Sequence, residues 1–207
     1  MPFPDLIALA TRNPGKIREI RTICADWPVR WLTAGGDDRP WPDLEEPGET
    51  YAENALAKAR TVVEALGVPA LADDSGIEVD ALGGGPGPRS ARFAGEHATE
   101  QQNLDKLIEA LAGVPPQQRT ARYRCVAVLA RPGGSEVRAE GVCEGTLITE
   151  PRGTGGFGYD PIFLPAGFER TMAELSLEEK DRISHRGKAL RALGRILTQE
   201  TVTGSRR

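Results

Sequence analysis

Two adjacent carboxylates, Asp73 and Asp74, occur in the stretch LADDSG, directly after a short apolar run. Like charges side by side repel each other, so the pair calls for a compensating positive charge. Carboxylate oxygens suit Mg2+, which commonly shares them with substrate phosphates. Glu45 or Glu46 could complete such a site, and an acid not fully occupied by metal can orient or deprotonate water. The pair therefore predicts a bound cation, with an ordinary solvated acidic turn as the alternative.

The segment TRNPGK, residues 11–16, lies between a predicted strand and a predicted helix. Backbone N–H groups and the positive end of a helix dipole can receive an anion there. Thr11 and Asn13 could add hydrogen bonds and Lys16 a charge, although the segment lacks the Walker A pattern. Phosphate binding and an ordinary capped helix are equally compatible with this segment alone.

A second lysine, Lys58, follows Asn54 by four residues on a predicted helix, so both project from one face. Lys58 is a candidate for neutralising phosphate or acidic charge. A lysine that is simply solvated at the surface is the more frequent case.

The stretch GTGGFGYDP combines four glycines with Phe157, Tyr159 and Asp160. Glycine lets the backbone approach a ligand closely, an aromatic ring can stack on a base, and a carboxylate can accept from base or sugar donors. A mobile surface loop is the alternative, but flexible linkers rarely carry two aromatic residues. A nucleobase site is therefore slightly favoured.

The stretch SHRGK places His185 and Arg186 before the last predicted helix, with Lys180 shortly upstream. Their N–H groups can donate to an anion or to the acceptor edge of a purine. A capped helix start with exposed basic residues is the alternative. The two histidines of the chain, His97 and His185, are too few for a histidine-rich zinc site.

Periodicity and capping signals divide the chain into alternating strands and helices. Helices are predicted to begin after Asn13, Thr50, Thr99, Ser176 and Ser184, and Gly67 is predicted to end the second. Strands are predicted at 6–10, 29–32, 69–73, 77–81, 120–131 and 136–144. The DDSG residues form a turn between two strand pieces in this prediction, and the last two strands form a hairpin. This order predicts an α/β or α+β domain with a mixed sheet.

The composition, 39% hydrophobic and 27% charged over 207 residues, is typical of a soluble globular protein. A net charge of -4 argues against sequence-independent binding to nucleic acid. Because the sequence shows no signal peptide and no membrane-spanning apolar run, we expect a cytoplasmic protein that does not enter a membrane. Cys24, Cys125 and Cys143 form no CxxC pair and are predicted to be reduced thiols.

The motifs appear in one order over nearly the whole chain: TRNPGK, ENALAKAR, LADDSGIEVDALGGGPGPRSARFAG, GTGGFGYDPIF and EEKDRISHRGKAL. The set resembles the Ham1/RdgB-type inosine triphosphate pyrophosphatase family. The resemblance implies a single domain over residues 1–207, of α/β class, with a mixed central sheet flanked by helices and two lobes that enclose the substrate in a cleft. It also implies Mg2+-dependent hydrolysis of ITP, dITP, XTP or dXTP to the monophosphate and pyrophosphate, by a homodimer.

The resemblance assigns roles to individual residues by motif. Asp74 is implied as the proton acceptor and a metal ligand, Lys58 as a catalytic aid, and Ser75 as a substrate contact. Glu45 is implied as the second metal ligand, with Glu46 one residue away as the alternative. The implied triphosphate site consists of Thr11, Arg12, Asn13, Pro14, Gly15 and Lys16. The implied base pocket consists of Phe157, Gly158, Tyr159, Asp160, Lys180, His185 and Arg186.

Three other functions compete with this interpretation. A pyrophosphatase for modified pyrimidine nucleotides, as in the Maf-like proteins, would share the reaction, but SHRGK and the FGYD loop favour a purine. A nucleotide-binding regulator would bind ITP without hydrolysing it. A single-stranded RNA-binding module is disfavoured by the charge of -4 and by the 5% content of aromatic residues.

Overall fold

The computed structural model describes residues 3–36 and 39–204, with side chains as far as residue 199. The predicted loop between residues 28 and 48 includes 37 and 38, which lie outside the described residues. The strands are β1 Leu6–Leu9, β2 Arg30–Leu32, β3 Ala70–Val79, β4 Thr120–Ala130, β5 Glu136–Leu147 and β6 Phe163–Pro165. The helices are α1 Pro14–Ile23, α2 Tyr51–Leu66, α3 Glu100–Ala110, α4 Leu177–Ile183 and α5 His185–Gly204.

One six-stranded sheet has the order β2-β1-β3-β4-β5-β6. β1 pairs in parallel with both β2 and β3, whereas β5 and β6 pair antiparallel. The predicted mixed sheet flanked by helices is therefore confirmed. β4 and β5 are neighbours joined by a short turn in which the Arg131 N–H donates to the Ser135 carbonyl at 2.9 Å, as a hairpin requires.

The helix ends follow the capping signals of the sequence. Thr50 and Glu53 form a capping box at the start of α2, and Gly67 ends that helix in the left-handed region with φ 67°. Asn13 caps α1, and Pro14 occupies its first turn, where a missing N–H costs no helical hydrogen bond. These local boundaries are confirmed at the residues that the sequence indicated.

The aspartate pair does not lie in a turn, so that prediction is wrong. β3 runs without interruption from Ala70 to Val79, and it lies between β1 and β4 in the sheet. β1 pairs with the first part of β3, at Ala70 and Leu71, and the strand stays extended through the polar residues that follow. Because neighbouring side chains of a strand point to opposite faces, Asp73 and Asp74 lie on different faces of the sheet.

The chain divides into two compact units. The first comprises Met1–Asp74, Cys125–Gly141 and Arg186–Arg207, and the second comprises Ser75–Arg124 and Val142–His185. The first unit has two apolar clusters, one that includes Leu71 and Leu190 and one that includes Ala72 and residues of α2. In the second unit, the described residues form a cluster that contains Tyr123 and Phe163 together with residues of α3. Among the described residues, no helix is both long enough and apolar enough to cross a membrane.

Candidate functional site

Asp74 lies at the centre of a buried polar group in the first unit. Its Oδ2 accepts a hydrogen bond from Asn54 Nδ2 at 3.1 Å, and its Oδ1 lies 3.4 Å from Lys58 Nζ. Asn54 and Lys58 reach the same carboxylate because they lie one helical turn apart on α2. Lys58 Nζ also lies 2.5 Å from Glu46 Oε1. The lysine is therefore a buried partner of two acids, not a solvated surface residue.

The surroundings of Asp74 make it more basic than an ordinary aspartate. Burial raises the pKa of Asp74, and the attraction of Lys58 and Lys16 only partly offsets this effect. Burial lowers the pKa of Lys58, but the attraction of Asp74 and Glu46 outweighs burial, so that the lysine pKa is raised. A carboxylate with a raised pKa accepts a proton more readily, while the lysine beside it stays charged.

Asn54 connects Asp74 to the loop that carries Glu45, Glu46 and Gly48, and sequence reasoning gave Asn54 no role of its own. Its side chain is fully buried, and its Oδ1 accepts from the Gly48 N–H at 2.7 Å while its Nδ2 donates to Asp74. Both ends of the amide are thereby used, which fixes the orientation of the Asp74 carboxylate. The sequence feature that could have indicated Asn54 is its four-residue spacing from Lys58, which places both side chains on one face of α2.

The charge of Asp73 is compensated by the protein itself. Asp73 Oδ2 accepts from Arg186 Nε at 3.1 Å and Nη2 at 3.0 Å, and it lies 3.2 Å from Lys16 Nζ. Burial raises the pKa of Asp73, but the attraction of Arg186, Lys16 and Lys58 outweighs it and holds the pKa well below the ordinary value. The bound cation that the sequence predicted for this acid is not needed to account for its charge.

Arg186 lies in this network, and it is only 1% exposed. Its Nη1 donates to Glu19 of α1, while its other nitrogens donate to Asp73. Burial lowers the pKa of the guanidinium, but the attraction of Asp73 and Glu19 raises it overall. The structure thus binds Arg186 to two acids of the first unit, and a contact between Arg186 and a base stays a prediction. Glu19 was missed, since an acid on a helix is usually solvated.

Two polar side chains of the TRNPGK segment, Thr11 and Asn13, bind backbone groups within the segment. Asn13 Oδ1 accepts from the Lys16 N–H at 3.1 Å, and Thr11 Oγ1 accepts from the Asn13 N–H at 3.2 Å. Arg12 donates to the carbonyl oxygens of Trp41 and Pro42. Pro14 and Gly15 lie in the first turn of α1. Lys16 is the residue of this segment that reaches the aspartates, with its Nζ also 3.4 Å from the Asp73 carbonyl.

The donor set fits a metal that is shared with phosphate. Among residues 3–36 and 39–204, no group of three or more His, Cys, Asp or Glu side chains could hold a metal ion alone. Mg2+ commonly uses one or two carboxylates and takes its remaining ligands from phosphates and water. Asp74 supplies one carboxylate. Glu45 is exposed, whereas Glu46 forms an ion pair with Lys58.

In the second unit, Asp160 binds other residues of the predicted base pocket. Its Oδ2 accepts from Lys180 Nζ at 2.6 Å and from the Phe157 N–H at 2.9 Å. The Lys180 ammonium also lies 4.9 Å from the centre of the Phe157 ring. Gly156, at φ 71°, permits this arrangement, because a Cβ there would lie 2.0 Å from Asp160 Oδ2. The structure therefore brings together three of the residues predicted for the base pocket.

The other predicted pocket residues have different surroundings. Tyr159 is buried and donates from its hydroxyl to the Ser90 carbonyl at 2.7 Å, and burial raises the pKa of this hydroxyl. The Gly158 N–H donates to Glu100 Oε2 at 3.1 Å. His185 is buried and stacks on a tyrosine of β4. Ser75 follows Asp74 on β3.

The sequence of this chain matches a known protein family and several named proteins. The family model described as "Ham1 family" matches residues 7–196. A protein of Streptomyces coelicolor named dITP/XTP pyrophosphatase is 54% identical over 188 residues, covering 90% of this chain and 94% of its own length. A protein of the same name from Geobacter sulfurreducens is 48% identical over 188 residues, with the same coverage.

The fold of this chain also matches solved structures of similar proteins. A HAM1 protein from Coxiella burnetii superposes with a TM-score of 0.83 at 41% identity, covering 94% of this chain and 98% of its own. A structure from Mycobacterium abscessus, described as a nucleoside-triphosphatase and dITP/XTP pyrophosphatase, gives a TM-score of 0.72 at 41% identity. That match covers 91% of this chain and 97% of the other.

Proposed function

This chain belongs to the Ham1 family, and from that premise we propose that it hydrolyses noncanonical purine nucleoside triphosphates, dITP, ITP, dXTP and XTP, to the nucleoside monophosphate and pyrophosphate. The observation that carries the proposal is the buried Asp74 held between Asn54 and Lys58, in a chain about half identical to proteins named for this reaction. Removal of such nucleotides from the nucleotide pool is the corresponding biological role.

The reaction at phosphorus depends on a base and on positive charge. Water attacks the α-phosphorus and gives its proton to Asp74, while the bond to the β-phosphate oxygen breaks and pyrophosphate leaves. Lys58 stays protonated next to Asp74 and neutralises charge that develops on the phosphates, and Lys16 does so from α1. Asn54 keeps the carboxylate oriented, which matters because misplacement of a base by about 1 Å can cost about 100-fold in rate.

We propose Mg2+ as the divalent metal, held by Asp74 and Glu45 together with the phosphates. Glu46 is the weaker candidate because its carboxylate already neutralises Lys58, whereas Glu45 is exposed. When bound, the metal supplies positive charge that screens the triphosphate and stabilises the leaving pyrophosphate.

The adjacent acids Glu45 and Glu46 give a matched pair of variants. We expect Glu45→Gln to raise the Mg2+ concentration for half-maximal rate about tenfold or more, because it removes a charged ligand. Glu46→Gln should leave that concentration within about threefold of wild type, while it lowers the maximal rate by loosening Lys58. Titrating initial rates of pyrophosphate release with Mg2+ tests this. The opposite pattern would move the ligand assignment to Glu46.

Base selection is proposed to depend on donors that face the six-position. Lys180 is buried beside Phe157 and carries N–H groups that can meet the oxo group of hypoxanthine or xanthine. The amino group of adenine would leave such donors facing another donor, which costs about 1–3 kcal/mol for each stranded group. Guanine also has a six-oxo group, so its rejection depends on its two-amino group.

Product analysis tests the bond that is cleaved. ITP incubated with the protein and Mg2+ is expected to give IMP and pyrophosphate in equal amounts, separated by anion-exchange chromatography. Formation of IDP and orthophosphate would contradict cleavage between the α- and β-phosphates.

Three further properties belong to this proposal. The two units act as the lobes of one domain, with the first binding the triphosphate and the second the base. Two copies form a homodimer, for which the motif resemblance is the support and light scattering against the chain mass of 22.3 kDa is the test. The site of action is the cytoplasm, since the substrates arise in the nucleotide pool.

A further inference from the structure

Tyr123 lies outside every motif that sequence reasoning singled out. It is a residue of β4 in the second unit, and only 6% of it is exposed. On the same strand, Arg122 and Arg124 form ion pairs with Glu78. Tyr123 therefore differs from its neighbours in pointing into the unit, where the residues predicted to bind the base lie.

The ring and the hydroxyl of Tyr123 contact two different residues of that group. The ring stacks on the His185 imidazole with centroids 4.6 Å apart and planes 9° apart. The hydroxyl donates to Asp160 Oδ1 at 3.3 Å. One buried side chain thus fixes the plane of the imidazole and the orientation of the carboxylate.

The position of Tyr123 is itself fixed by packing. Its ring centroid lies 4.7 Å from that of Phe163, which is fully buried, with the planes tilted by 54°. Asp160, held at Oδ1 by Tyr123, binds Lys180 and the Phe157 backbone through Oδ2. A shift of Tyr123 would therefore move the donors of Lys180 as well as His185.

We propose that Tyr123 is a positioning residue that sets base selectivity by holding His185 and Asp160 in one arrangement. This inference rests on the proposed function, because it concerns the residues that would face the purine. Discrimination between oxo and amino groups needs donors at defined positions. Removing either contact of Tyr123 loosens those positions and lowers the preference for hypoxanthine over adenine.

Two variants separate the contacts. Tyr123→Phe keeps the stacked ring and removes the hydroxyl, which leaves a buried oxygen of Asp160 without this donor. We expect the ratio of kcat/KM for ITP to that for ATP to fall about three- to tenfold. Tyr123→Leu removes the ring as well and is expected to lower the ratio further.

The histidine signals in a proton NMR spectrum report the ring contact without any substrate. The chain has two histidines, of which His97 is exposed and His185 is buried, so a His97→Gln variant assigns both signals. A stacked ring shifts imidazole protons upfield. We expect the His185 protons to be upfield in wild type and in Tyr123→Phe, and to move downfield in Tyr123→Leu.

Leu107→Ala, a change in the core on α3, is the control for a merely structural effect. It should lower the melting temperature and keep the wild-type selectivity ratio. The proposal is overturned if both Tyr123 variants keep that ratio, if Leu107→Ala changes it equally, or if the His185 shift is the same in all Tyr123 forms. If the wild-type protein releases no pyrophosphate from ITP, the proposed function is refuted instead. The NMR comparison needs no substrate, so it would still test the contact between the Tyr123 ring and His185.

Discussion

Asp74→Asn is expected to lower pyrophosphate release from ITP by about 10³-fold or more and, at saturating Mg2+, to leave ITP binding within about threefold of wild type. Asparagine keeps the shape of the side chain and cannot accept the proton of water. The acid also accepts from Asn54 and lies beside Lys58, so its loss removes the group to which both are directed. Steady-state rates, together with calorimetric binding of a nonhydrolysable ITP analogue, separate the two effects.

Asp105→Asn is the matched control for this change, since it neutralises an exposed carboxylate on α3. It should leave both rate and affinity unchanged. Turnover of Asp74→Asn within tenfold of wild type would contradict the role of Asp74 as proton acceptor. A nucleotide-binding protein without hydrolytic activity would show no turnover in the wild type or in Asp74→Asn.

Arg186→Met is expected to lower the free energy of unfolding by about 3–5 kcal/mol. The methionine fills a similar volume but leaves Asp73 and Glu19 buried without their shared cation. Arg186 is 1% exposed and binds both acids, so water cannot easily replace it. The transition midpoint in urea, compared at unchanged slope, measures the loss.

The double variant Arg186→Met with Glu19→Gln tests the charge explanation. Because it also removes the charge of Glu19, one of the two acids that lose the guanidinium, it should be more stable than Arg186→Met alone. Glu19→Gln by itself should cost less than Arg186→Met, since an amide oxygen can still accept from the guanidinium. A midpoint for Arg186→Met that corresponds to a loss below about 1 kcal/mol would show that this network contributes little.

Features that depend on nearby residues were predictable from the sequence. The capping box of Thr50 and Glu53, the left-handed Gly67 and the Asn13 cap each depend on residues within a few positions. The position of Asn54 and Lys58 on one face followed from helical spacing, whereas their approach to the Asp74 carboxylate was not predicted. The ordered motifs also identified the family correctly.

Features that depend on distant residues were not predictable in this way. The aspartate pair was expected in a turn because DDSG is polar, but it belongs to β3, whose neighbours β1 and β4 are distant in sequence. Arg186 meets Asp73 across 113 positions of sequence, which no local pattern encodes. Tyr123 has no motif at all, and its relation to His185 and Asp160 appears only in the folded unit.

Pyrophosphate release from ITP, XTP, dITP, GTP, ATP and dTTP, measured with and without Mg2+, tests the central claim most directly. The predicted result is strong Mg2+-dependent release from ITP, XTP and dITP and little from the other three nucleotides. Release mainly from dTTP would indicate a pyrimidine enzyme, and absence of release from all six would indicate a nucleotide-binding protein without hydrolytic activity. Either result would contradict the assignment as a purine pyrophosphatase.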